Sequence, residues 1–263
     1  MKKLVNLLLI AGLVVATGGS ASATLLFDRG LPSTNLNIAA GPDRSNVSWI
    51  SGNPTGFTGD DFTIGTAGQS YRIDSLTVWG VQYQPLGSDI DNIWLYMGKA
   101  GGPLALMSTG SVTDNTNSNP NISHTFVSYP DASSTSVYEG GANPGDADFF
   151  IAQTTFSGLN FMVDGGMKYN FGVHGDKWLW WNHASNAALS GTPQDGADGK
   201  YLEFDTTNLS SVVEWDSNGN GWDKSSDINV QIDGAPVPEP GTIVLLGLGL
   251  AGIAGFRKKF KKQ

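Results

Sequence analysis

Between residues 24 and 235, apolar side chains recur at every second position in short runs. In Asp227–Asp233, Ile228, Val230 and Ile232 alternate with polar residues. Lys168–His174 repeats the pattern, and Ile93, Leu95 and Met97 alternate with Trp94 and Tyr96. A period of two belongs to a strand with one buried face. Tyr71–Trp79, Ile122–Tyr129, Phe149–Phe156, Trp178–His183 and Lys200–Asp205 are further strand candidates. Turn-forming clusters, Gly140 to Gly145 and Asp195 to Gly199, separate them. Helical periodicity and internal repeats are absent from this region. Many short strands without intervening helices predict an all-β fold, an antiparallel β-sandwich or jelly roll in one domain.

Both ends break this pattern. Lys2 and Lys3 precede an apolar run, Leu4–Ala16, interrupted only by Asn6 and Gly12, and Ala21-Ser22-Ala23 follows. A positive start, a short apolar core and a small-x-small end are the parts of a secretory signal peptide, residues 1–23. Signal peptidase is expected to use Ala21 and Ala23 and to leave Thr24 as the mature N-terminus. An uncleaved anchor is the alternative, but the run is short for a membrane span. At the other end Pro238-Glu239-Pro240-Gly241 leads into Thr242–Phe256, which carries no charge, and then into a basic cluster, residues 257–262. Fifteen helical residues rise only about 22 Å against about 30 Å of hydrocarbon. Such a C-terminal transmembrane helix is a marginal anchor that relies on bilayer thinning or snorkelling lysines. Basic residues at both ends favour the cytoplasm, so everything between the apolar runs is expected outside.

The triplet Pro238, Glu239 and Pro240, the Gly/Leu-rich span and the basic end, in that order, resemble the PEP-CTERM sorting signal over residues 236–263. The resemblance implies that an exosortase, a membrane cysteine transpeptidase, recognises the triplet and cleaves near it. It also implies a Gram-negative host that makes exopolysaccharide. The two prolines suit this role because they keep the segment extended and non-helical. An ordinary tail anchor with a proline-rich neck is the alternative. Asp28-Arg29-Gly30-Leu31-Pro32 and Gly59-Asp60-Asp61-Phe62 are similar to segments of other PEP-CTERM proteins, and they name no activity. Gly247-Leu248-Gly249-Leu250-Ala251-Gly252 fits G-x-G-x-x-G, but no βαβ unit surrounds it, so a dinucleotide site is rejected. Gly247, Ala251 and Gly255 recur at helix-contact spacing instead.

Charge narrows the class of partner. Residues 24–235 hold 8 Lys and Arg against 23 Asp and Glu, a net of −15. Such a domain repels nucleic acid and anionic membranes. The chain has no cysteine, so no disulfide supports it after export. Candidate chemistry is sparse. Asp216, Asn218, Asn220 and Asp227, with Gly221 between, match positions 1, 3, 5, 12 and 6 of an EF-hand-type calcium loop. Asp at position 12 and flanking strands depart from that form, and a β-hairpin turn is the favoured reading of the same residues. Trp178, Trp180 and Trp181 crowd one strand, where exposed indoles would stack on sugars and buried ones would pack a core. No G-x-S-x-G, H-E-x-x-H or thiol nucleophile occurs. His174 and His183 could meet across neighbouring strands. Asp60 and Asp61 are adjacent, so on a strand they face opposite ways and cannot form one acid–base pair. The expectation is a non-enzymatic cell-surface or matrix protein, passing transiently through the inner membrane and associated with exopolysaccharide or biofilm. A polysaccharide-active hydrolase or lyase and a purely structural matrix protein are the alternatives.

Overall fold

The computed structural model describes residues 23–30, 47–48, 56–83, 92–112, 118–127, 138–139, 148–175, 180–183, 195–196, 198, 200–216, 227–238, 247 and 249. The period-two runs become strands. In chain order they are β1 (Thr24–Asp28), β2 (Val47–Ser48), β3 (Gly56–Thr63), β4 (Ser70–Tyr83), β5 (Asn92–Lys99), β6 (Ala105–Ser111) and β7 (Ile122–Val127). Then follow β8 (Tyr138–Glu139), β9 (Asp148–Asp164), β10 (Lys168–Gly175), β11 (Trp180–His183), β12 (Lys200–Asp205), β13 (Asn208–Asp216) and β14 (Val230–Val237). Helical geometry among the described residues is confined to Gly247 and Gly249. No helix of the described residues is long and apolar enough to cross a membrane.

The strands make two antiparallel sheets. The first is built on β4, which pairs with β9 along one edge. Along its other edge β4 pairs with β14 and, beyond it, with β11. β1 flanks β14, β2 flanks β11, and β7 and β8 flank β9. The second sheet runs β13-β12-β3-β10-β5-β6. The predicted β-sandwich is what the chain forms. Between the sheets lie Ile73, Leu76, Val78, Phe156, Val230 and Ile232 from the first, and Phe62, Ile93, Leu95, Met97, Phe171 and Val173 from the second. Each of these is essentially inaccessible to solvent. Burying one such side chain stabilises by about 1.5–3 kcal/mol, and without disulfides this core is the main support.

Two expectations change. β13 lies in the second sheet and β14 in the first, so the strands on either side of the Asp216–Asp227 pattern are not hairpin partners. His174 lies on β10 and His183 on β11, strands of different sheets, so they are not cross-strand neighbours. Both follow from sheet partnering, which strand periodicity does not encode.

The second sheet carries another apolar cluster on its outer face. Phe57, Leu202, Phe204 and Leu104 are buried there, with Tyr96 and Leu209 packed against them. The Leu104 N–H, just before β6, donates to the Leu209 carbonyl in β13 at 3.0 Å. That bond links the two edge strands of the sheet across its outer face. Two glycines make room beneath. A Cβ on Gly172 would stand 2.4 Å from the Phe57 ring, and one on Gly59 would stand 1.9 Å from the Phe171 carbonyl oxygen.

Candidate functional site

Cross-strand register lines up aromatic rings on the outer face of the second sheet. Phe204 of β12 opposes Phe57 of β3, and their rings stack 5.2 Å apart. Thr58 opposes Val173, which brings Phe57 beside His174, 6.0 Å between ring centroids. His174 opposes Trp94 of β5, and those rings stack at 5.3 Å. Tyr96, two residues on from Trp94, lies 4.9 Å from Phe57. The row grades from closed to open. Phe57 and Phe204 are buried, whereas Trp94, Tyr96 and His174 are half-buried. Burial pushes the Tyr96 hydroxyl above its ordinary pKa. The next residues on this face are polar: Asp61 opposes Asn170, and Asp61 accepts from the Lys168 ammonium at 2.6 Å. That hydrogen bond leads the causes that hold the lysine above its ordinary pKa. Flat rings next to amide, carboxylate and ammonium groups offer stacking surface and hydrogen bonds together, the combination a sugar ring uses.

A second constellation joins the two short segments singled out in the sequence. Arg29, just past β1, is fully buried and meets the Asp60 carboxylate of β3 at 2.5 Å. Asp227 stands 3.8 Å from the same guanidinium nitrogen. Other guanidinium nitrogens donate to the carbonyls of Asp61 (2.8 Å), Gly196 (3.1 Å) and Asp195 (3.2 Å). The carboxylates are held in turn by main-chain amides. Ile228 N–H donates to Asp60 at 2.7 Å, Asp61 N–H to Asp60 at 2.7 Å, and Asp198 N–H to Asp227 at 2.9 Å. Burial raises the Asp60 carboxyl to about 7, against the opposing pull of Arg29 and the two amides. Burial also works against the Arg29 cation, but Asp60, Asp227 and Asp61 outweigh it and hold its pKa above the ordinary value. Asn229 completes the arrangement by donating to the carbonyls of Arg29 and Gly30. The cluster ties β1, β3, the residues before β14, the turn residues Asp195 and Gly196, and Asp198 into one unit. Its charges are engaged with one another, and its role is to hold the sheets together.

Asp60 points into the sandwich and Asp61 out of it, as the strand period requires. Asp227 of the calcium pattern is buried beside Arg29. Asp216 ends β13, and Asn218 and Asn220 lie outside the described residues. No three His, Cys, Asp or Glu side chains among the described residues group to hold a metal. Trp180 and Trp181 fall on β11, opposite Gln82 and Val81 of β4. Their side chains and all of Trp178 lie outside the described residues, as do Ala21, Glu239 and Pro240. Ala23 and Pro238 are exposed. Residues 1–22 and all of the 242–256 span except Gly247 and Gly249 are likewise outside the description.

Two features of these sites leave only a faint trace in the sequence. Trp94 and Tyr96 sit at the polar parity of β5, and the signal that marks them is two aromatics where a solvated face would carry polar residues. The pairing of Arg29 with Asp60 was foreshadowed only by the two short segments, 31 residues apart. Residues 236–259 match the model of the PEP-CTERM protein-sorting motif. The chain carries a PEP-CTERM sorting tail. The tail marks an exported protein handled by an exosortase and sorted to the cell surface. No curated protein and no solved structure matches the chain. β14 ends at Val237, so the fold passes directly into the sorting triplet.

Proposed function

We propose that the exported domain is a non-enzymatic surface or matrix protein that works in or beside exopolysaccharide and contacts sugar through Trp94, His174 and Tyr96. The observation that carries this reading is the half-buried aromatic row on the outer face of the second sheet, bordered by Asp61, Asn170 and Lys168. A domain of net charge −15 favours a neutral glycan over an acidic one, because like charges repel. The absence of catalysis is part of the proposal. It is supported by the engagement of Asp60 and Asp227 with Arg29 and with main-chain amides, which leaves neither free to act as a general acid.

The test is a glycan-binding screen of the secreted chain, followed by titration of any hit. Trp94→Ala is expected to weaken binding about tenfold or more, since losing a buried aromatic contact removes at least the 1.4 kcal/mol that tenfold represents. Trp178→Ala and Trp180→Ala test the tryptophan-rich strand in parallel. Binding that survives Trp94→Ala and Tyr96→Ala but not the other two would move the site to the tryptophan-rich segment 178–181. Release of reducing ends from a bound glycan would favour the hydrolase, and no binding at all the purely structural protein.

A further inference from the structure

The sorting motif does not begin beyond the fold; it begins inside it. The matched segment starts at residue 236, and Pro236 and Val237 are the last paired residues of β14. Pro236 opposes Tyr71 and Val237 opposes Ser70 at the start of β4. Pro238, the first residue of the triplet, follows with no spacer.

This end of β14 is its weakest part. β1 flanks β14 only as far as Gly234, which opposes Thr24. Among the described residues, the strand from Ala235 onward has a partner on one side alone, β4. Pro236 has no N–H to offer a further strand on the open side. β4 itself is firmly set, because its start pairs with Asp164 of β9 on the other side. The turns beside it are also tied together: Gly165 N–H donates to the Gln69 carbonyl at 2.7 Å and Gly166 N–H to Ile64 at 2.9 Å. A processing enzyme that grips extended chain on both sides of its scissile bond therefore meets a rigid sheet end on one side of the triplet.

We propose that detachment of Ala235–Val237 from β4 gates exosortase processing of this chain, so that the folded domain sets how readily its own sorting signal is read. Detachment frees three residues, about 10 Å of extended chain; it exposes the buried Ala235 methyl and leaves Val230 and Ile232 in the core. Processing then tracks the population of the detached form, as proteolysis does when opening and closing outpace cleavage.

The chain has no cysteine, so an engineered cross-link has no competitor. Ser70→Cys with Val237→Cys places thiols on directly opposed residues of an antiparallel pair, a separation a disulfide accepts. The experiment follows conversion of the full-length chain to the processed form by pulse-chase in a bacterium that makes the exosortase. It compares the oxidised pair, the reduced pair and the same pair with a Gly-Ser-Gly-Ser insertion after Val237. The expected result is processing about tenfold slower when oxidised, restored by reduction and by the insertion. Equal rates for oxidised and reduced chains would overturn the proposal. So would a slowed chain that the insertion fails to rescue, because the cross-link would then act elsewhere. The insertion in the otherwise native chain is expected to speed processing, and an unchanged rate there would overturn the proposal even if the cysteine pair failed to fold.

Discussion

Arg29 is the most consequential single residue for stability. It is the cation between Asp60 and Asp227, and all three side chains are inaccessible to solvent. Removing one member of a buried ion pair leaves an uncompensated charge, at a cost of about 3–5 kcal/mol. Arg29→Met is expected to lower unfolding stability by that amount in denaturant titration. Asp227→Asn should destabilise equally in calcium and in chelator, because the lost partner is a guanidinium. A calcium-dependent loss would show instead that Asp227 serves an ion. Acid brings out two groups with opposite signs. Burial lowers His124 from 6.5 to about 4, so its contribution to stability is complete above pH 6.5 and is lost as pH falls through 4. Asp60 is raised from 3.8 to about 7, so its contribution is complete below pH 3.8 and is lost as pH rises through 7. Between pH 4 and 6.5 the two oppose each other. His124→Gln is expected to make the chain gain stability relative to the native protein as pH falls through that window, read from denaturant midpoints at each pH.

β3 shows what strand propensity misses. Gly56–Thr63 holds two glycines and two aspartates, residue types depleted in strands, yet it lies between β12 and β10. Its environment explains each choice. Asp60 faces Arg29 inside, Asp61 faces Lys168 outside, and Gly59 lies where β10 comes too close for any side chain. Gly59→Ala is expected to cost about 3 kcal/mol, since the obstructing atom is a backbone carbonyl that cannot swing away. A melting temperature within a degree of the native chain would contradict that close approach. β5 and β14 are the opposite case. Ile93, Leu95 and Met97, and Ile228 just before β14 with Val230 and Ile232 within it, are all fully buried as their alternation predicts. β4 and β9 run longer than their alternation indicates because each pairs on both edges.

At the scale of the molecule, the fold has its exit point built into a strand. β14 lies between β1 and β4 and reaches Val237, two residues past the boundary read from the sequence. A chain ending at Val237 is expected to keep the native melting temperature. One ending at Asn229 loses β14, with Val230 and Ile232 from the core, and is expected not to fold. The mature N-terminus expected at Thr24 lies opposite Gly234, near that same end of the sheet. Disrupting Pro238-Glu239-Pro240 is expected to leave the domain's stability unchanged while full-length chain accumulates. Mass spectrometry finding the basic end on surface-released protein would count against exosortase handling.

Alternation of apolar residues determined by itself that the chain is all-β, which faces of β5, β10 and β14 are buried, and that Asp60 and Asp61 diverge. Those properties follow from side-chain period within one strand. The order of unlike parts at the C-terminus likewise determined the sorting tail, because such a signal is read as linear sequence. Only the tertiary structure decided which strands share a sheet. It placed β13 and β14 in different sheets, separated His174 from His183, and joined Arg29 to Asp60 and Asp227 across the sandwich. It also raised Trp94 and His174 into one aromatic row. Each of these depends on contacts between residues far apart in the chain, and periodicity within a strand carries no information about its partner.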